Sequence, residues 1–220
     1  MTDRGDPETG RGFRGGLAGI LLAAGRGERF GGGKLLATLP AAGRPAATRS
    51  PRGDFAASPA GECIGAMACR NLLAALPRVV AVVRQDDAAL AAALGAAGAR
   101  IVRCAAADDG MGASLACGVM ATRDAAGWIV ALGDMPWIEP ATIARVAAAL
   151  GQGAAVAAPF YRGQRGHPVG FGAACFTALA ALGGNDGARS IVASHRDSVV
   201  RIDVEDAGAL RDVDGPADIG

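Results

Sequence analysis

LAGILLAAGRGERFGGGK, residues 17–34, decides the fold. Its first eight residues form an apolar run of the right length for one buried strand. The glycines behind that run let backbone N–H groups turn toward an anion, and a helix opening after them would add its positive end. Two familiar phosphate loops are excluded by spacing. Glu28 stands where a P-loop needs its first glycine, and Leu35 follows Lys34 in place of Ser or Thr. In the dinucleotide-binding fingerprint Phe30 would have to be glycine, and the second strand ends in Arg84 without a ribose-binding acid. As a bare glycine loop the stretch is also compatible with a simple flexible turn.

Outward from this stretch, short apolar runs alternate with alanine-rich helical segments. Residues 17–24, 79–83, 100–102, 128–132 and 154–158 read as buried strands. Segments around 63–76, 86–97, 112–124 and 140–150 read as helices, the last with Pro140 near its first turn. Such alternation predicts a single doubly wound, Rossmann-like α/β domain, with a mostly parallel sheet and helices on both faces. Active sites of such sheets lie beyond the carboxyl ends of the strands. The loops after residues 24, 103 and 132 are therefore the places to look for chemistry. Residues 1–16, rich in Gly, Arg and acids, read as a disordered tail preceding a domain at 17–220. A secretory leader is disfavoured, because acids dilute the segment and cleavage would destroy the glycine motif. Pro45, Pro51 and Pro59 mark residues 43–62 as a mobile insertion.

Composition narrows the function. The 220 residues carry 22 basic and 21 acidic side chains, a balance that argues against nucleic acid as partner. No apolar run is long enough to span a bilayer. The five cysteines, Cys63, Cys69, Cys104, Cys117 and Cys175, are odd in number and widely spaced. They are expected to be ordinary buried thiols of a cytoplasmic protein. Against 21 arginines there is one lysine, Lys34, directly behind the glycine cluster.

Three further segments carry candidate chemistry. Gly133-Asp134-Met135-Pro136 follows the fourth strand, and a carboxylate there is placed to hold Mg²⁺, which favours oxygen ligands and often binds through one or two carboxylates plus phosphates. An acid in an ordinary turn is the alternative. Gly110-Met111-Gly112-Ala113-Ser114-Leu115 opens a helix, where small residues would let the backbone approach a flat base, while Ser114 suits a capping role equally well. Gly166-His167-Pro168-Val169 holds one of two histidines; the other, His195, reads as structural or solvent-exposed.

The pattern A-A-G-x-x-x-R-F-G-x-x-K resembles the signature of the MobA-like nucleotidyltransferases, the group of the molybdopterin guanylyl- and cytidylyltransferases and sugar-phosphate relatives. The GMGxSL, GDMP and GHPV segments follow in that family's order, so the resemblance runs from about residue 17 to the end. It implies a nucleotide-diphospho-sugar-transferase-like fold. Arg29 and Lys34 would neutralise an NTP triphosphate wrapped by Ala23, Ala24, Gly25 and Gly31. Gly110, Gly112 and Ser114 would border the base, and His167 would face the second substrate. The segment from Arg211 to Asp218 resembles the family's D-x-D-T-P-x-D, making Asp214 a second metal ligand beside Asp134, with Gly215 in place of the usual Thr. AAG together with GHPV leans toward the cytidylyl branch. The implied reaction joins CTP to molybdopterin cofactor with release of pyrophosphate, with Mg²⁺ as cofactor. The implied partners are small molecules and, beyond them, a molybdoenzyme or its maturation chaperone. GTP as donor, a sugar or polyol phosphate as acceptor, and a non-catalytic nucleotide-binding maturation factor stay open as alternatives.

Overall fold

The computed structural model describes residues 15–27, 30–39 and 62–219. The expected tail and insertion fall almost wholly outside the described residues, as does Arg29. Among the described residues a sheet of eight strands organises the chain: β1 (Leu17–Leu22), β2 (Val79–Arg84), β3 (Arg100–Cys104), β4 (Gly127–Leu132), β5 (Val156–Tyr161), β6 (Gln164–Arg165), β7 (Val169–Gly172) and β8 (Val200–Asp203). The order is β3-β2-β1-β4-β7-β5-β6, with β8 also paired to β5. β1 runs parallel to β2 and β4, as do β2 to β3 and β5 to β8. β7 is antiparallel to both β4 and β5, and β6 is antiparallel to β5. The sheet is mostly parallel in its first half and mixed in its second.

Alternating side chains build two cores. On β1, Leu21 faces one cluster and Ala18 and Ile20 the other; on β2, Val79, Ala81 and Val83 oppose Val80 and Val82. The period of two is what a strand buried on both faces requires. Helices α1 (Ile64–Ala75), α2 (Ala88–Ala96) and α4 (Pro140–Gly151) cover the first face, with Leu72, Leu94 and Val146 in its core. Helices α3 (Met111–Ala121), α5 (Phe176–Ala180) and α6 (Arg189–Ser194) cover the second, with Leu115, Leu179 and Ile191. Trp128 is fully buried in the second core, and its indole N–H donates to Thr122 Oγ1 at 3.0 Å.

The expected thiols need one correction. Cys104 and Cys117 are joined as a disulfide, their Cα atoms 6.1 Å apart. Cys104 ends β3 and Cys117 lies on α3, which packs across the carboxyl end of that strand. Sequence spacing says nothing of that approach. Cys63, Cys69 and Cys175 are free, and burial pushes the Cys69 thiol up to about 11.

From β1 the chain winds outward through β2 to β3, then returns to lay β4 on β1's other side. The sheet reverses there. In open α/β sheets the crevice at such a reversal, beyond the strands' carboxyl ends, is where ligands bind.

Candidate active site

The glycine loop leaves β1 at this reversal. Ala23 and Ala24 continue the strand's line as buried residues, and the Ala23 N–H donates to Val82 O at 2.9 Å. The loop then doubles back, with the Phe30 and Gly32 N–H groups both donating to Gly27 O. Gly31, Gly32 and Gly33 take φ of 82°, 93° and 64°, a left-handed run that only glycine follows without strain. A single 3₁₀ turn, Lys34–Leu36, comes next, and Leu35 buries itself in the core. That burial fixes the direction in which Lys34 leaves the loop.

Lys34 Nζ donates to Asp134 Oδ2 at 2.7 Å and to Val213 O at 2.8 Å. The Val213 N–H in turn donates to Asp134 O at 2.9 Å. Three segments far apart in sequence are thus knotted at one point. The Gly133 N–H donates to Leu22 O at 2.9 Å, holding the exit of β4 against the exit of β1. From the other side Asp206, buried, accepts from the Glu139 N–H, Thr142 Oγ1 and the Gly208 N–H, tying the C-terminal segment to the start of α4. Gly208 is needed there, because a Cβ would run into the Trp137 carbonyl.

Asp214 follows Val213 with its side chain exposed. Its N–H and that of Gly215 both donate to Asp218 Oδ2, at 2.8 and 2.7 Å. These two bonds hold the Asp218 carboxyl below the usual carboxylate range. Asp218 therefore closes the turn in which Gly215 stands where the resembling family has Thr. The donor set fits a hard divalent cation. Asp134 already holds a cationic group, the Lys34 ammonium, and Asp214 lies one residue from the strand of backbone bonded to it. No cluster of three or more metal-ligating side chains exists among the described residues. A cation here would take its remaining ligands from phosphate and water, as Mg²⁺ commonly does.

The glycine loop opens onto a cleft of about 820 Å³. Gly25, Lys34, Gly110, Ser114 and Asp134 all line it. Gly112 does not line it. A Cβ on Gly110 or Gly112 would collide with the backbone of Gly183 and Gly184, and the Gly112 N–H donates to Gly184 O at 2.8 Å. The small residues at the start of α3 thus admit a neighbouring loop of the protein itself. Ser114 does not cap α3: its hydroxyl donates back to Gly110 O at 3.3 Å. Arg26, Arg84, Asp86, Asp108, Met111 and Asn185 also line the cleft, and sequence reasoning missed all six as site residues. Arg26 lay in plain sight inside the quoted loop. Asp108 and Asn185 belong to no motif.

His167 stands apart from the cleft lining. Its N–H donates to Ala209 O at 2.9 Å, and its Nδ1 is buried without a hydrogen-bond partner among the described residues. Burial pushes the imidazole below its ordinary pKa, helped by Arg165 and Arg189 and opposed by Asp134. His195 closes α6, with Nδ1 at 2.9 Å from Ile191 O, a structural position.

A nucleoside triphosphate-handling α/β domain is the class that this loop, knot and switch-point cleft define. The chain belongs to the MobA-like NTP transferase domain family, which matches residues 19–199, and it is a nucleotidyltransferase. No curated protein is a match. Among solved structures, the chain is similar to Rv0371c from Mycobacterium tuberculosis H37Rv, with 25% identity over 93% of this chain and 96% of that one, at TM-score 0.71. A manganese complex of Rv0371c matches at 24% identity, covering 92% and 95%, TM-score 0.66. A nucleotidyl transferase from Methanothermobacter, Mth528, matches at 22% identity, covering 94% of each chain, TM-score 0.69. The molybdopterin-guanine dinucleotide biosynthesis protein A of Archaeoglobus fulgidus shares the fold at 16% identity and TM-score 0.57, covering 92% and 94%. Among the described residues no helix is long and apolar enough to cross a membrane.

Proposed function

We propose that this nucleotidyltransferase joins CTP to molybdopterin cofactor and releases pyrophosphate. The observation that carries the phosphate chemistry is the knot of Lys34, Asp134 and Val213 beside a glycine loop. The base and the acceptor rest on sequence: AAG in the first loop and GHPV in the later segment.

Gly25 and Gly31 receive the triphosphate on backbone N–H groups, with Lys34 and Arg29 supplying positive charge. A terminal phosphate oxygen of the acceptor bonds to the α-phosphorus, and the bond from that phosphorus to the β-phosphate bridging oxygen breaks. The electron pair leaves with pyrophosphate, whose growing charge Lys34 stabilises. Lys34 can do so because its bonds to Asp134 and Val213 already hold it at the loop's mouth, so little orientation remains to be achieved. Asp134 and Asp214 would hold Mg²⁺, which when bound neutralises phosphate charge and orients the transferring group. The manganese bound by Rv0371c supports a divalent ion in this fold. Gly110 and Ser114 lie at the base end, and His167 is the residue assigned to the acceptor.

A binding titration with CTP, GTP, ATP and UTP in Mg²⁺ buffer tests the donor. CTP binding tightest is the expected result. GTP binding tightest would make the chain a guanylyltransferase, as the name of the Archaeoglobus protein suggests for that relative, and would overturn the cytidylyl assignment.

A further inference from the structure

Arg26 lies in the glycine loop between Gly25 and Gly27, and its Nη2 donates to Asp108 Oδ1 at 2.7 Å. Asp108 does not depend on that bond. Arg84, at the end of β2, already grips the same carboxylate twice, through Nη1 to Oδ1 at 2.6 Å and Nη2 to Oδ2 at 2.9 Å. The Arg84 side chain is 15% exposed against 57% for Arg26 and 55% for Asp108. Arg84 and Asp108 are therefore the seated pair, and Arg26 is a loose third arm resting on it. The loops leaving β1, β2 and β3 meet in this one contact, at the rim of the same cleft that Lys34 and Asp134 line.

We propose that Arg26 is a further ligand for the triphosphate, parked on Asp108 in the free protein and transferred to phosphate when nucleotide enters; the inference rests on the cleft being an NTP site. Three facts carry it. Guanidinium groups bind phosphate bidentately, and a triphosphate offers more acceptor oxygens and more charge than one carboxylate. An exposed ion pair is weak and easily exchanged. Arg84 neutralises Asp108 after Arg26 departs, so the exchange leaves no unpaired carboxylate behind. The two arginines also hold the Asp108 carboxyl down at about 2, so the parking site is charged at any working pH. Asp108 thereby competes with the incoming nucleotide for Arg26.

The test is a double-mutant cycle on the full chain, titrated with CTP and, separately, inorganic tripolyphosphate. Arg26→Ala is expected to weaken both ligands about threefold or more, the scale of one exposed charge-assisted bond. Asp108→Asn is expected to tighten both by a similar factor, because it releases Arg26. In the Arg26→Ala background Asp108→Asn should then change little. Equal affinity of wild type and Arg26→Ala would overturn the assignment. Tightening by Asp108→Asn that persists in full without Arg26 would also overturn it, by giving the effect to Arg84. Wild type that binds neither CTP nor tripolyphosphate would instead bring down the NTP reading of the cleft, and this inference with it. Unchanged thermal midpoints, expected for two exposed side chains, keep folding out of the comparison.

Discussion

Removing the Lys34 ammonium takes one donor from Asp134, one from Val213 and the fixed positive charge from the mouth of the glycine loop. Lys34→Ala should lower kcat/KM by roughly a hundredfold or more. Near-wild-type turnover in a steady-state assay would contradict the role given to this residue. His167 makes a prediction of a different kind. Its folded pKa lies below the ordinary 6.5, so as pH falls the unfolded chain takes up that proton first. Its contribution to stability is complete above about pH 6.5 and drains away below it. Thermal midpoints should therefore fall from about pH 7.5 to about pH 5.5 more steeply in wild type than in His167→Gln. Parallel curves would show that the imidazole is not held neutral by burial. At this scale the sequence was legible where chemistry is rare: a single lysine behind three glycines, and one acid at a strand's end. It was illegible where two common residues meet across the fold, as Arg26 and Asp108 do from 82 positions apart.

Elements depend on a few close approaches. A methyl group on Gly112 would collide with the Gly183 carbonyl, so Gly112→Ala should destabilise the fold by about 1–3 kcal/mol, read as a lower urea midpoint. Nucleotide affinity should fall with it, since the same approach seats the start of α3 on the cleft. Thr122→Val should strand the Trp128 indole N–H in the second core and cost about 1–3 kcal/mol by the same measurement. A shift near zero would mean that another acceptor replaces the hydroxyl. The first five strands and four helices were readable because short apolar runs alternate with alanine-rich stretches, and α4 also opens on a proline. β7 was not. Four residues with two glycines, Val169-Gly-Phe-Gly172, show no strand signal and form one only because β4 and β5 flank them. β6, at two residues, and β8, exposed at three of its four residues, escaped for the same physical reason: their pairing is decided by neighbours, not by their own side chains.

For the molecule as a whole, the reversal of strand order at β1 and β4 turns separate motifs into one site. The glycine loop exits one of these strands and Asp134 the other, and the C-terminal segment is stitched between them through Val213 and Asp206. The order of these segments is legible in the chain but their junction is not, because a bond such as Lys34 to Val213 spans 179 positions and follows from topology alone. If the junction is the seat of nucleotidyl transfer, chemistry should be lost without loss of fold when Asp134 is neutralised. Pyrophosphate release from CTP, with Mg²⁺ and purified molybdopterin cofactor, compares wild type with Asp134→Asn most directly. Release by wild type that drops about a hundredfold or more in the variant, at an unchanged thermal midpoint, is the expected result. Equal release by the two proteins, or none by wild type with CTP, GTP, ATP or UTP, would contradict it.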